Sequence, residues 1–230
     1  MSRKLILAAV SVVAAVALGV LFMTLSATKA GAKLLPDPAV DETRSGGKGM
    51  QTAVLAGGCF LCTEAVLEQV DGVTKVVSGF SGGDAATAHY EIVSTGRTKH
   101  AESIEVTYDP SKITYGQLLK VFFEVAHDPT QLNRQGPDYG PQYRSAIFYK
   151  SDEQKRIAEG YVKQLEEAKV FHKPIVTQLN QFQAFYPAEE YHQKYCRRHP
   201  NNPYVVVNAL PKLDKLHKEL GELVKKDAVK

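Results

Sequence analysis

Cysteine is scarce. The chain of 230 residues carries three, Cys59, Cys62 and Cys196, too few and too unevenly placed for a framework of structural disulfides. Two of them form a Cys59-x-x-Cys62 spacing, which fits redox chemistry or half of a metal site. A second pair is missing, so a four-cysteine zinc site is excluded. A strong charge of one sign is lacking too. The formal net charge is +3 and the lysines are spread along the chain instead of clustering with aromatic residues, so there is no nucleic-acid footprint. No internal repeat is found. What is present, 44% hydrophobic and 23% charged residues, suffices for one ordinary globular domain with a sizeable core plus appendages.

Residues 1–30 read as a targeting segment. Arg3 and Lys4 precede a nearly unbroken apolar run from Leu5 to Met23, 19 residues long, which can cross the hydrocarbon core of a bilayer. Positive charge before the run directs the remainder outward, so the expected location is extracytoplasmic, anchored in the membrane or periplasmic. Thr28-Lys29-Ala30 resembles a cleavage site, but the run exceeds a usual signal peptide, which favours an uncleaved signal anchor. Residues 31–50, with Pro36, Pro38, Gly46 and Gly47 among mixed charges, read as a flexible linker. A catalytic domain is expected over residues 51–210, and an amphipathic helix and tail over 211–230, striped by Leu213, Leu216, Leu220 and Leu223.

Within the domain, strands and helices interleave. Strands are expected at 53–57, 75–80, 101–108, 145–149 and 175–179. One helix follows Cys59, a second is capped by Thr114 with Leu118, Phe122 and Ala126 in its stripe, and a third opens at Ser151 and runs to about Ala168. A short helix after Pro187 ends near Cys196. This pattern predicts an α+β sandwich, a mostly short-stranded sheet covered by helices.

Chemistry concentrates where the strand at 53–57 turns through Gly57 and Gly58 into a helix. Cys59 stands at that helix start, where unpaired N–H groups and the positive end of the macrodipole favour a thiolate and lower a thiol pKa. It reads as a nucleophile, against the alternative of a buried cysteine in a glycine-rich turn. Glu102 shares a strand face with Ile104, Val106 and Tyr108. Burial there favours the protonated carboxyl and makes a general acid; a place at the wet end of the strand would make it merely solvated.

Four motifs follow in order: Gly57-Gly-Cys-Phe-x-Cys-x-Glu64, Tyr90-Glu-x-Val-x-Thr-Gly-Arg-Thr-x-His-Ala-Glu102, Arg134-Gln-Gly-x-Asp-x-Gly-x-Gln-Tyr-Arg-Ser145 and Pro187-Ala-Glu-Glu-Tyr-His-Gln193. Together they resemble the methionine sulfoxide reductase A family over about residues 51–202. The resemblance implies a two-layer α/β sandwich around a mixed, ferredoxin-like sheet and reduction of methionine S-sulfoxide, in proteins or free, to methionine. It gives Cys59 the attack on sulfur and Glu102 the proton for the departing oxygen. Tyr90 and Tyr143 become hydrogen-bond donors to that oxygen, and Asp138 joins the substrate and water network. A sulfoxide is a poor electrophile until its oxygen is hydrogen-bonded or protonated, so the implied set is chemically coherent.

Phe60 and Leu61 occupy the positions that grip the substrate methyl group in the family. The usual tryptophan is replaced by Leu61, and no tryptophan occurs anywhere in the chain. Weaker binding is expected, with the chemistry retained. For the cysteine that resolves the sulfenic acid two candidates stay open: Cys62, close in sequence, and Cys196, otherwise a small buried hydrophobe. His192 and Cys196 lie four apart, but two ligands do not make a metal site. No metal and no cofactor are expected, and a thioredoxin-like dithiol is the expected reductant of a monomeric enzyme. Two rivals are a general thiol–disulfide oxidoreductase, which would not need Glu102 or Tyr90, and a binding module with weak turnover, which would fit Leu61.

Overall fold

A computed structural model describes residues 34–44 and 49–228. The targeting segment and its apolar run lie outside the described residues. Among the described residues no helix is long and apolar enough to cross a membrane.

Strand β1 (Gln51–Gly57) is central because both of its faces are apolar. It pairs antiparallel with β3 (Ala101–Tyr108) on one side and with β6 (Ser145–Tyr149) on the other. Beyond β3 lie β2 (Val73–Ser81) and β8 (Phe185–Pro187), and beyond β6 lies β7 (Gln178–Gln181). The six strands run in the order β7-β6-β1-β3-β2-β8, and the parallel β6–β7 pair makes the sheet mixed. Strands β4 (Arg134–Gln135) and β5 (Asp138–Tyr139) form a separate two-stranded ribbon.

Alternation sorts the side chains. Ala53 and Leu55 of β1 join Ile104, Val106 and Tyr108 of β3 in the main core, under helices α1 (Phe60–Glu68), α3 (Tyr115–Val121) and α4 (Asp152–Glu167). Val54, Ala56, Ala101, Ala146 and Phe148 form a smaller apolar cluster of their own, with Phe182 and Phe185 packed against it. Short helices α2 (Tyr90–Val93), α5 (Tyr195–Arg198) and α6 (Pro203–Asn208), then α7 (Leu210–Glu219), complete the α+β domain.

Several boundaries move for identifiable reasons. Thr114 caps α3, as its sequence predicts, and Gln117 completes a capping box; the helix then loosens into a π-turn over Phe122–Ala126. The strand expected at 175–179 begins at Gln178, because Val176 is tied to the carbonyl of Pro129 outside the sheet. The stripe of the C-terminal helix ends at Leu220, and Leu216 and Leu220 are buried in the same core as the sheet.

Residues 35–44, expected as linker, are packed. Leu35 is buried and its N–H donates to Glu124; Lys120 pairs with Asp37 at 2.6 Å. The cause is helix capping: Asp41 accepts from Gly116 N–H at 2.9 Å and Glu42 from Tyr115 N–H at 2.7 Å, at the N-terminus of α3. A Cβ at Gly116 would sit 2.6 Å from the Asp41 carboxylate, so only glycine admits this approach.

Candidate active site

The β1–α1 turn sets the position of the first thiol. Gly58 has φ +86°, a left-handed conformation that glycine adopts without strain, and its Cα lies so close to Gln135 that a Cβ would collide with that side chain. Gln135 in turn holds both the N–H and the carbonyl of Asp128, fixing the loop over the turn. Cys59 is therefore delivered as the N-cap of α1, with its carbonyl accepting from Cys62 N–H at 3.2 Å.

The two thiols then settle their charge between themselves. The Cys59 S–H donates to Cys62, which holds Cys62 below the ordinary thiol range; that bond, with burial and the neighbouring charge, pushes Cys59 well above it. This corrects the expectation of an independently acidic Cys59.

Glu102 lies on the main-core face of β3, 2% exposed, and accepts from Phe60 N–H at 3.0 Å. Burial first, then the neighbouring sulfur of Cys59, raises its pKa well above the carboxylate range, which favours the protonated form. Tyr90 at the start of α2 and Tyr143, in a 3-10 turn at Pro141–Tyr143, are both half-buried. Both phenols are pushed up by burial and then by Glu102, which keeps them as O–H donors. Asp138 accepts from Tyr204 Oη at 2.6 Å, and burial raises its carboxyl. Cys59, Glu102, Tyr90, Tyr143 and Asp138, spread over 85 positions of sequence, thus share one electrostatic neighbourhood.

Phe60 is 1% exposed. Its ring lies under those of Phe80, Tyr90 and His192, at 5.8, 6.5 and 5.1 Å between centroids, and supports the wall instead of presenting a face. Leu61 is half-buried between apolar clusters, and its carbonyl accepts from Cys196 Sγ at 3.3 Å. Cys196 is buried, and desolvation pushes its thiol up to about 12.

Sequence reasoning missed Tyr204 and Lys212 here, and singled out His192 only as a metal ligand that it set aside. Tyr204, anchored by α6, meets Cys59 as well as Asp138. His192 is buried with its ring 4.3 Å from that of Tyr90. Lys212, in the first turn of α7, lines a cavity of about 70 Å3 with Cys59, Cys62, Gln135, Asp138, Tyr204 and Asn208. No local signal distinguishes Tyr204 or Lys212 from an ordinary tyrosine or lysine. A larger cavity, about 600 Å3, opens along a later stretch of α1 at Glu64, Glu68 and Cys196 and contains neither Cys59 nor Glu102. Among the described residues no group of three or more His, Cys, Asp or Glu is arranged to hold a metal ion.

A protonated buried carboxyl and two phenols beside a thiol pair match the needs of sulfoxide reduction. The sequence profile of peptide methionine sulfoxide reductases matches residues 51–223. The chain belongs to this family. It is 53% identical over 195 residues to a peptide methionine sulfoxide reductase of Synechocystis sp., covering 84% of this chain and 91% of that protein. Among solved structures, reduced Mxr1 of Saccharomyces cerevisiae superposes with a TM-score of 0.61 at 31% identity, over 71% of this chain and 92% of that one. Methionine sulfoxide reductase A of Corynebacterium diphtheriae gives 0.58 at 34%, over 74% and 84%. The chain is a reductase of methionine sulfoxide.

Proposed function

We propose that Cys59 attacks the sulfur of a methionine S-sulfoxide, bound in a protein or free, while Glu102 protonates the departing oxygen. The thiolate bonds to the substrate sulfur and the S–O bond of the sulfoxide breaks; the protonated oxygen then passes to the Cys59 sulfur as the bond between the two sulfurs breaks, methionine leaves with that electron pair, and Cys59 is left as sulfenic acid with Glu102 ionised. Tyr90 and Tyr143 donate hydrogen bonds to the oxygen as charge develops on it. Asp138, steadied by Tyr204, orders the polar side of the pocket. The observation that carries this reading is Glu102, a carboxyl kept neutral by burial beside the only thiol pair in the chain.

Cys62 resolves the sulfenic acid in this account. Its thiol is the more acidic of the pair and is already in contact with Cys59, whereas Cys196 is held protonated and donates to a backbone carbonyl. An external dithiol of thioredoxin type then reduces the bridge by thiol–disulfide exchange. The apolar run at 5–23 anchors the enzyme on the outer side of a membrane, where it repairs oxidised proteins.

Single-turnover reduction of a methyl sulfoxide substrate, followed by peptide mapping, tests the assignment. Wild type is expected to release methionine and carry a Cys59–Cys62 bridge, and Cys59→Ser to release none, since a hydroxyl lacks the acidity to attack at neutral pH. A Cys59–Cys196 bridge would transfer the resolving role to Cys196.

A further inference from the structure

The C-terminal helix brings a cation to the thiol pair. The first turn of α7 packs on the first turn of α1: Leu210 and Leu213 lie against the apolar group that holds Cys62, Cys196, Val205 and Ala209. Lys212 stands between those two leucines in sequence. It is half-buried, and its ammonium donates to the carbonyl of Ala126 at 2.7 Å. That bond pins the side chain, and an ammonium keeps two further N–H donors to turn toward the cavity that Lys212 lines with Cys59, Cys62, Asp138 and Tyr204.

We propose that Lys212 is a positioning residue for the resolving step, its fixed positive charge holding the sulfur of Cys62 as the thiolate that attacks the Cys59 sulfenic acid. The proposal rests on Cys62 being the resolving cysteine. In the step, the Cys62 thiolate forms the S–S bond and the S–O bond of the sulfenic acid breaks. The oxygen leaves as hydroxide, which takes a proton and becomes water. No other oxidant is needed, because the sulfoxide has already oxidised Cys59.

The groups facing Cys62 are Cys59 on its own helix, Cys196 on α5, Tyr204 on α6 and Lys212 on α7. Of these only Lys212 is a cation. The charge of Lys212 is also felt by Asp138, Cys196 and His127. It favours the thiolate of Cys62, whereas Cys59 is governed by Cys62, burial and Tyr204. Removing the cation therefore disfavours the Cys62 thiolate, and the resolving rate should be recovered only at higher pH.

The test uses the full chain and Lys212→Met and Lys212→Arg variants, each given one equivalent of methyl sulfoxide substrate. Loss of free thiols is timed across the pH range in which thiols titrate. The burst of methionine reports that each variant is folded and binds substrate. Lys212→Met is expected to form the bridge about tenfold more slowly at neutral pH, with its profile moved about one pH unit upward, and Lys212→Arg to restore most of the rate. An unchanged profile for Lys212→Met, or an arginine variant no faster than the methionine one, would overturn the proposal. A Cys59–Cys196 bridge in the wild-type peptide map would overturn it differently, through the resolving assignment itself.

Discussion

Glu102 and Glu64 are equally withdrawn from water, at 2% and 1% exposed, yet their surroundings differ. Both oxygens of Glu64 accept the N–H of Lys194, at 3.0 and 2.9 Å, and so hold that residue at φ 52°, where the chain turns into α5 and toward Cys196. That donor works against burial, and the carboxyl of Glu64 is left at about 7. Glu102 has one backbone donor, Phe60 N–H, and the neighbouring sulfur of Cys59 adds to its desolvation. Burial makes either residue a weak acid. What separates a holder of a turn from a donor of protons is the neighbour: a strained backbone in one case, a nucleophile in the other.

The comparison breaks most visibly in the chemical step. Glu102→Gln should keep the fold and slow methionine formation in a single turnover by about two to four orders of magnitude, the usual worth of a positioned acid. Glu64→Gln should leave that step within about a factor of ten, because the residue touches no reacting atom. Equal losses in rapid-quench measurements on the two variants would erase the distinction.

Stability against pH sharpens it. The folded-state pKa of Glu64 is raised from 4.5 to about 7, so the native state binds the extra proton. Its contribution is fully present below about 4.5 and is lost as pH rises through about 7, on the order of 3 kcal/mol. Urea titrations should therefore show wild type weakening over that window and Glu64→Gln much less so. A matching slope in both would assign the dependence to other groups.

The smallest effect concerns the pocket wall. Leu61→Trp should tighten substrate binding by about 0.5–1.5 kcal/mol through added ring contact, read in KM more than in kcat. Because Leu61 already packs between apolar clusters, a raised KM with the fold intact would mean that the wall is built around leucine.

Much of this was legible in the sequence, where the signal is local. The alternation of 101–108 placed Glu102 on the buried face, the glycines put Cys59 at a helix start, and Thr114 announced itself as a cap. The charge on the thiols was not legible. It depends on a hydrogen bond between Cys59 and Cys62, and a helix-start argument treats Cys59 alone. Tyr204 and Lys212 arrive from helices more than 140 positions downstream, where each reads as an ordinary helical side chain. Residues 35–44 have the prolines and charges of a linker, but Asp41 and Glu42 find the free N–H groups of α3, a partnership that only the folded chain creates.

The protonation of Glu102 beside the thiol pair is the center of the account, and infrared difference spectroscopy between wild type and Glu102→Gln reads it directly. The measurement is made at neutral pH, and the carboxyl of Glu64, common to both proteins, cancels in the difference. A C=O stretching band of a protonated carboxyl, present in wild type and absent from the variant, is the predicted result. Only an ionised-carboxylate difference under those conditions would contradict the account, for Glu102 would then have no proton to give.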